Sequence, residues 1–241
     1  KTPAHTVTST KDKIHVILPT HTNDDLDYLK QAIESILSQT YTNIQLIIVA
    51  DCLNETQLEY MNQLEKNPKI TILKSDKKRN LLTALNEGIS DALKNGAQFI
   101  ARMDSDDISK PDRLETQIAY LDTHKEVDLV GSWIEEIEEN NTNKRHLIKY
   151  PETHEELYKF FKKRCVIAHP TALFRKCFFE KVGMYEQKII NNKKLNILED
   201  TILWAKAFEK NVKIANVQKP LLLFRIDPSF YVRRGGFKTA W

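Results

Sequence analysis

The sequence predicts an α/β fold: a mostly parallel sheet flanked by helices, with a mixed α+β half built onto the same sheet. Three observations carry this. Apolar runs of strand length alternate with amphipathic segments through the first hundred residues. The links after those runs collect polar residues at His21, Asp51, Asp76 to Asn80, and Asp104 to Asp107. The run Phe99-Ile100-Ala101-Arg102-Met103 stops abruptly at Asp104-Ser105-Asp106-Asp107. Right-handed crossovers place all of these links along one sheet edge, where open α/β sheets bind ligands.

Ile14 to Leu18 reads as a buried strand closed by Pro19. Leu26, Leu29, Ile33, Ile36 and Leu37 have helical spacing, so a helix is expected over Leu26 to Gln39. Ile44 to Ala50 is a second strand, Glu55 to Lys66 a helix, and Ile70 to Leu73 a short strand. Leu81 to Lys94 is a third helix, stopped by Asn95-Gly96. Phe99 to Met103 is the fourth strand. The second half predicts a helix over Pro111 to His124, a long strand over Val127 to Ile137 and a turn near Asn140 to Asn143. A helix over His154 to Lys163 and a strand over Thr171 to Phe174 follow. Ile197 to Lys210 includes a helix, and Val212 to Val217 and Leu221 to Phe224 are strands. No Pro/Gly/Ser-rich linker divides the chain. Residues 1–12 lack apolar periodicity and read as a tail or linker, leaving one domain over 13–241 with halves 13–110 and 111–241.

A net charge of +3 over 241 residues argues against a nucleic-acid binder, which concentrates basic residues. With 6 glycines and neither G-x-G-x-x-G nor a Walker motif, no glycine-rich phosphate loop is available. Cys52, Cys165 and Cys177 are widely spaced and form no C-x-x-C, so small hydrophobic side chains in a reducing compartment are expected. Neither a signal peptide nor an apolar run of membrane-spanning length is present.

Carboxylates crowded at a strand end repel one another unless a cation neutralises them. Hard oxygen donors in small number suit Mg²⁺ or Mn²⁺, with a substrate phosphate completing the coordination. Asp104, Asp106 and Asp107 therefore read either as a metal–diphosphate site or as an acidic turn capping the helix that starts near Pro111.

The order of features resembles the family-2 inverting glycosyltransferases. These features are Pro19-Thr20-His21, Asp51, Asp104-Ser105-Asp106-Asp107 and Glu199-Asp200. The segments Tyr41 to Val49, Leu81 to Ile89, and Ile100 to Ile108 followed by Pro111-Asp112-Arg113-Leu114-Glu115 are similar to the family's second strand, third helix and metal segment. The resemblance runs from about Lys13 to about Arg234. It implies the GT-A, Rossmann-like nucleotide-sugar fold and UDP-sugar-dependent, metal-assisted transfer of an N-acetylhexosamine or galactose unit. Bacterial lipooligosaccharide or capsule enzymes are the subgroup implied. The implied acceptor is an oligosaccharide or glycolipid, and the implied place is the cytoplasm, with room for peripheral contact at the inner face of the plasma membrane.

Carried over residue by residue, Pro19 and His21 line the donor base, His21 either stacking on uracil or standing as a surface imidazole. Asp51 accepts the uracil N3–H or caps the helix before Glu55. Where the family shows Asp-Asp-Gly-Ser, this chain reads Ala50-Asp51-Cys52-Leu53-Asn54, keeping the second acid and losing the glycine. Arg79 bridges a phosphate or uracil oxygen, and the neighbouring Lys77 and Lys78 read as a solvated loop. Asp104 and Ser105 contact the donor, Asp104 also lies near the cation, and Asp106 is its direct ligand; Asp107 is supporting. Arg102 pairs with one of these acids. His169 touches an acceptor hydroxyl or phosphate, or is a buried hydrogen-bonded imidazole. Asp200 is the general base and Glu199 orients the acceptor, or the pair complements a helix dipole. Trp204 stacks on sugar or belongs to the core. Arg225 is followed by Ile226-Asp227 where relatives often carry His, and Arg233-Arg234 either reaches the diphosphate, touches anionic lipid or is a solvated basic end. Two rival readings are a non-catalytic nucleotide-sugar-binding module and a nucleotidyltransferase-like enzyme.

Overall fold

The computed structural model describes residues 12–138, 141–187, 189–190, 193–194 and 199–226; the side chains of 141–144, 189–190 and 193–194 are not described. The expected tail and Arg233-Arg234 lie outside the described residues, apart from Asp12. The first half alternates as expected: β1 (Ile14–His21), α1 (Leu26–Leu37), β2 (Ile44–Asp51), α2 (Glu55–Leu64), β3 (Ile70–Ser75), α3 (Leu81–Lys94) and β4 (Phe99–Arg102). These four strands lie in the order β3-β2-β1-β4, all parallel. Five consecutive buried residues, Ile14 to Leu18, mark a strand covered on both faces. Gly88 lets α3 sit close against the sheet, since a Cβ there would lie 2.6 Å from Ile17 Cγ2. Asp25 caps α1 by accepting from the amides of Asp27 and Tyr28, and Asn54 caps α2 in a capping box with Gln57.

β1 runs through Pro19 rather than stopping at it. β4 ends opposite Ile17, so beyond that point one side of β1 has no ladder partner and a proline is tolerated. The gap left past the end of β4 is where the acid cluster begins.

The second half adds β5 (Ile108–Ser109), α4 (Arg113–Thr123), β6 (Val127–Glu138), β7 (Asn141–Ile148), α5 (His154–Phe161), a 3₁₀ turn (His169–Thr171), β8 (Leu173–Arg175) and α6 (Lys176–Val182). The short strands β9 (Ile189–Ile190) and β10 (Lys193–Lys194), then α7 (Glu199–Glu209) and β11 (Lys213–Ile226), complete it. The sheet continues β4-β8-β6-β11-β5, with β8 antiparallel to both β4 and β6 and β11 parallel to β6. This is the mixed half that the sequence predicts. Four details differ. β7 occupies most of the expected turn; its polar sequence hides the strand, which pairs only with β6. The two final strands are one, because register irregularities around Pro220 absorb the break without ending the pairing. The two-residue strand β5 and the seven-residue helix α6 are too short to give a periodic signal.

Candidate active site

The polar links meet along the carboxyl edge of β1 to β4. After β1, the Asp24 carboxylate is a hub. Its Oδ2 accepts from Thr20 Oγ1 at 2.9 Å, the His21 amide at 3.1 Å and Ser105 Oγ at 2.8 Å. Asp24 therefore ties the β1 link to the acid cluster. Gln57, fully buried, donates to the backbone carbonyls of His21 and Asp24 and fixes that link from α2. His21 is exposed, its Nδ1 3.0 Å from Asp24 Oδ1.

After β2, Asp51 is buried and pairs with Arg79: the Arg79 amide donates to its Oδ2 at 2.9 Å and Nε to its Oδ1. Asn54, not Asp51, caps α2, which removes the capping alternative for Asp51. The remaining guanidinium donors of Arg79 reach Glu87 and the carbonyls of Ala50 and Leu73, both at 3.1 Å. Arg79 is thus an anchor closing the ends of β2 and β3 onto α3. Cys52, standing at the family's glycine position, has φ +48°. The glycine-type backbone survives in a non-glycine residue, at a cost of about 1–2 kcal/mol. The Cys52 amide donates to Ser75 O at 2.8 Å and so holds the turn in place.

Asp104, Asp106 and Asp107 each bring one carboxylate oxygen within 4.8 Å of the others. They do not cap α4; its N-cap residue is Asp112, whose carboxylate pairs with Lys219. Buried Arg102 pairs with Asp104. Arg225 braces the turn from β11: its amide donates to Asp107 Oδ1 at 2.9 Å and its Nε to Asp106 O at 2.8 Å. Its guanidinium also lies 3.9 Å from the Tyr28 ring centroid. Beneath the cluster, fully buried Arg113 donates to Arg102 O at 2.7 Å, and burial pulls its pKa down to about 9. Desolvation, then Asp104, raise Asp106 to about 6. Burial first, then Asp104 and Asp106, push Asp107 well above the carboxylate range. Asp107 Oδ2 is buried and has no hydrogen-bond partner among the described residues. An orphaned carboxylate oxygen beside two more carboxylates is the donor set of a hard divalent cation, and these residues fit Mg²⁺ or Mn²⁺.

On the other side, the 3₁₀ turn places His169 Nε2 2.7 Å from Tyr185 Oη. Burial and Arg102 hold this imidazole well below its ordinary pKa, so it is neutral. Tyr185 is buried and its backbone exchanges two hydrogen bonds with the Asn86 side chain of α3, at 2.8 and 3.0 Å. Burial pushes its phenol upward; Arg102 opposes this, while Asp200, Glu199 and Asp104 reinforce it. Tyr185 thus lies within the fields of both acidic groups. Glu199 and Asp200 open α7. Asp200 is buried, its Oδ1 accepting from the Thr201 amide at 2.6 Å and Oγ1 at 3.2 Å, its Oδ2 3.9 Å from Cys165 Sγ. Trp204 requires correction as a sugar platform. It is fully buried, stacked 6.1 Å from Phe174 and edge-on to His169, so no ring face is open to a ligand.

Of the residues expected from the sequence, Pro19, His21, Asp51, Arg79, Asp104, Ser105 and Asp106 fall along one edge, and His169 approaches it from the 3₁₀ turn through Tyr185. The hub Asp24 and the buried Arg113 and Tyr185 escaped sequence reading. Asp24 sits in the polar link after β1, which is a positional signal. A tyrosine between unassigned segments carries none.

A model of the family described as "Glycosyl transferase family 2" matches residues 15–183. The O-antigen biosynthesis glycosyltransferase WbnJ of Escherichia coli is 34% identical over 221 residues, covering 89% of this chain and 80% of the relative. The UDP-Gal:alpha-D-GlcNAc-diphosphoundecaprenol beta-1,3-galactosyltransferase of Escherichia coli is 28% identical over 229 residues, covering 95% and 79%. Among solved structures, S. aureus TarS 1-349 in complex with UDP-GlcNAc aligns with a TM-score of 0.67 at 18% identity, over 89% of this chain and 58% of that one. The last likeness shows the fold, and this chain spans less than two thirds of the TarS structures it matches.

Proposed function

The chain belongs to glycosyl transferase family 2, and from that premise we propose a metal-dependent, inverting transfer of a sugar from a UDP-sugar to a hydroxyl of a bacterial surface glycan. The observation that carries this reading is the Asp104–Asp106–Asp107 cluster with its orphaned buried oxygen at the end of β4. Asp106 and Asp104, backed by Asp107, would hold Mn²⁺ or Mg²⁺, which when bound neutralises negative charge on the departing diphosphate. His21 and Asp51 face the base, and Asp24 fixes the Ser105 hydroxyl beside the donor. Arg102 and Arg113 offset the cluster's charge from below.

Asp200 accepts the proton of the acceptor hydroxyl as its oxygen attacks the anomeric carbon. The bond from that carbon to the diphosphate oxygen breaks, and UDP leaves with the electron pair. One displacement inverts the anomeric centre and gives a β-linked product. Glu199 orients the acceptor. The names of the relatives in Escherichia coli support an acceptor of the O-antigen type and a sugar of the galactose class. The reading places the enzyme in the cytoplasm, acting at the inner face of the membrane. Among the described residues no helix is long and apolar enough to cross a membrane.

The test is a donor screen: UDP release from each UDP-sugar with Mn²⁺ and glycan acceptors. One UDP-sugar is expected to turn over, and turnover is expected to vanish with chelator. Unchanged transfer by both Asp106→Asn and Asp200→Asn would sink the assignment.

A further inference from the structure

A second surface feature lies outside the transfer chemistry. α5 ends in Tyr158-Lys159-Phe160-Phe161 and runs on through Lys162-Lys163-Arg164. Four cations thus fall within six residues, interleaved with aromatic rings. The helix is firmly seated: Leu157 is fully buried, and a capping box between Thr153 and Glu156 closes its start. Phe161 and Tyr158 pack on Phe208 at 5.2 and 5.5 Å between centroids. Tyr158 nevertheless remains 54% exposed. Lys159, Lys162 and Lys163 are exposed, and Arg164 lies over the Phe160 ring at 5.0 Å. Among the described residues none of these four cations forms an ion pair with a carboxylate. Of the acids on α5, Glu155 pairs with Lys213, and Glu156 is bonded to Thr153 in the cap, with Lys159 acting on it only at longer range.

We propose that the Tyr158–Arg164 segment docks this protein on an anionic phospholipid surface. Unpaired, exposed lysines are what an anionic leaflet attracts, and a half-exposed tyrosine beside them suits the headgroup region. Nucleic acid is the poorer match. Base stacking needs open ring faces, whereas Phe160 is covered by Arg164 and Phe161 packs on Phe208. The segment adjoins Asp200 through the next residue of the chain. Cys165 follows Arg164 directly, and its Sγ lies 3.9 Å from Asp200 Oδ2. Docking through this segment would bring Asp200 close to a membrane-borne acceptor, a consequence that rests on the proposed role of Asp200; the docking itself does not.

Vesicle flotation of the whole chain tests this without any turnover. Phosphatidylcholine vesicles containing about 30% phosphatidylglycerol are expected to bind the protein, and pure phosphatidylcholine to bind it far more weakly. Binding to the mixed vesicles should fall as salt rises from about 50 to about 300 mM. Lys162→Ala with Lys163→Ala should weaken binding about 25-fold, at about fivefold per lysine. The same charge removed elsewhere, by Lys66→Ala with Lys94→Ala, should change it less than about twofold. Equal binding to both vesicle types, retention by the Lys162/Lys163 variant, or equal loss in the control would overturn the proposal. So would tighter binding to an RNA oligonucleotide than to the mixed vesicles at the same salt.

Discussion

The molecule holds its two acidic groups in opposite ways. Asp104, Asp106 and Asp107 are braced by three guanidinium groups: Arg102, two residues away, pairs with Asp104, Arg225 clamps the Asp106–Asp107 backbone and carboxylate from β11, and Arg113 supports Arg102 from beneath. Asp200 is bonded within its own helix by the amide and hydroxyl of Thr201, with Cys165 Sγ 3.9 Å from its other oxygen. A cluster of like charges is stable only when cations surround it, and surrounding it fixes its geometry before any ligand arrives. A proton acceptor needs instead a single carboxylate on a stable support. The contrast fits the proposed function, in which the first group binds charge and the second takes the proton, with Tyr185 near both.

The largest expected effects are catalytic. Asp200→Asn should lower kcat about 10²- to 10⁴-fold with the donor KM unchanged, since it removes only the proton acceptor. Asp106→Asn should lower kcat by a similar factor and raise the donor KM as well. Steady-state kinetics with varied donor separates the two patterns, and identical patterns would erase the distinction.

Next comes the bracing itself. Arg102→Met leaves Asp104 without its buried partner and is expected to destabilise the fold by about 2–3 kcal/mol in denaturant unfolding. A change under about 0.5 kcal/mol would mean that the cluster does not depend on its guanidinium support.

A smaller effect is readable in pH. His169 is held neutral in the fold, with its pKa below that of the unfolded chain. Below about pH 6.5 the unfolded state therefore binds a proton that the folded state does not, and stability falls as pH falls, by up to about 1.4 kcal/mol per unit. His169→Gln should remove that share of the slope between about pH 6.5 and 5. An unchanged slope would show that the imidazole protonates in place.

The smallest expected effect concerns the turn after β2. Cys52→Gly relieves a left-handed backbone at a non-glycine residue and should stabilise by about 0.5–1 kcal/mol after the entropy lost by glycine. Destabilisation would show that the contact from Cys52 Sγ to Asp76 O outweighs the strain.

The first half of the fold was readable because β1, β2 and β4 are buried almost throughout and α1 and α3 each bury an apolar stripe. Its site residues followed, since a parallel sheet delivers every strand end to one edge. The second half was less readable for identifiable reasons. β7 has a polar sequence and pairs only with β6, and the bend at Pro220 looks like a chain break although pairing continues past it. The acid cluster was visible as a motif, and so was Arg102 as a partner for one of its acids, but the other supports were not. Arg113 and Arg225 reach it from α4 and β11, and no local pattern announces a contact spanning 118 residues, as from Arg225 to Asp107. Trp204 failed as a ligand residue for a related reason: helical spacing does not distinguish an aromatic facing the cleft from one facing the core.

The division of labour between the two acidic groups is tested most directly by calorimetric titration of UDP, with and without Mn²⁺, into the wild-type protein, Asp106→Asn and Asp200→Asn. The account predicts Mn²⁺-dependent UDP binding in wild type, affinity within about twofold of it in Asp200→Asn, and a loss of about tenfold or more in Asp106→Asn. Equal loss in both variants, or full retention in Asp106→Asn, would contradict it.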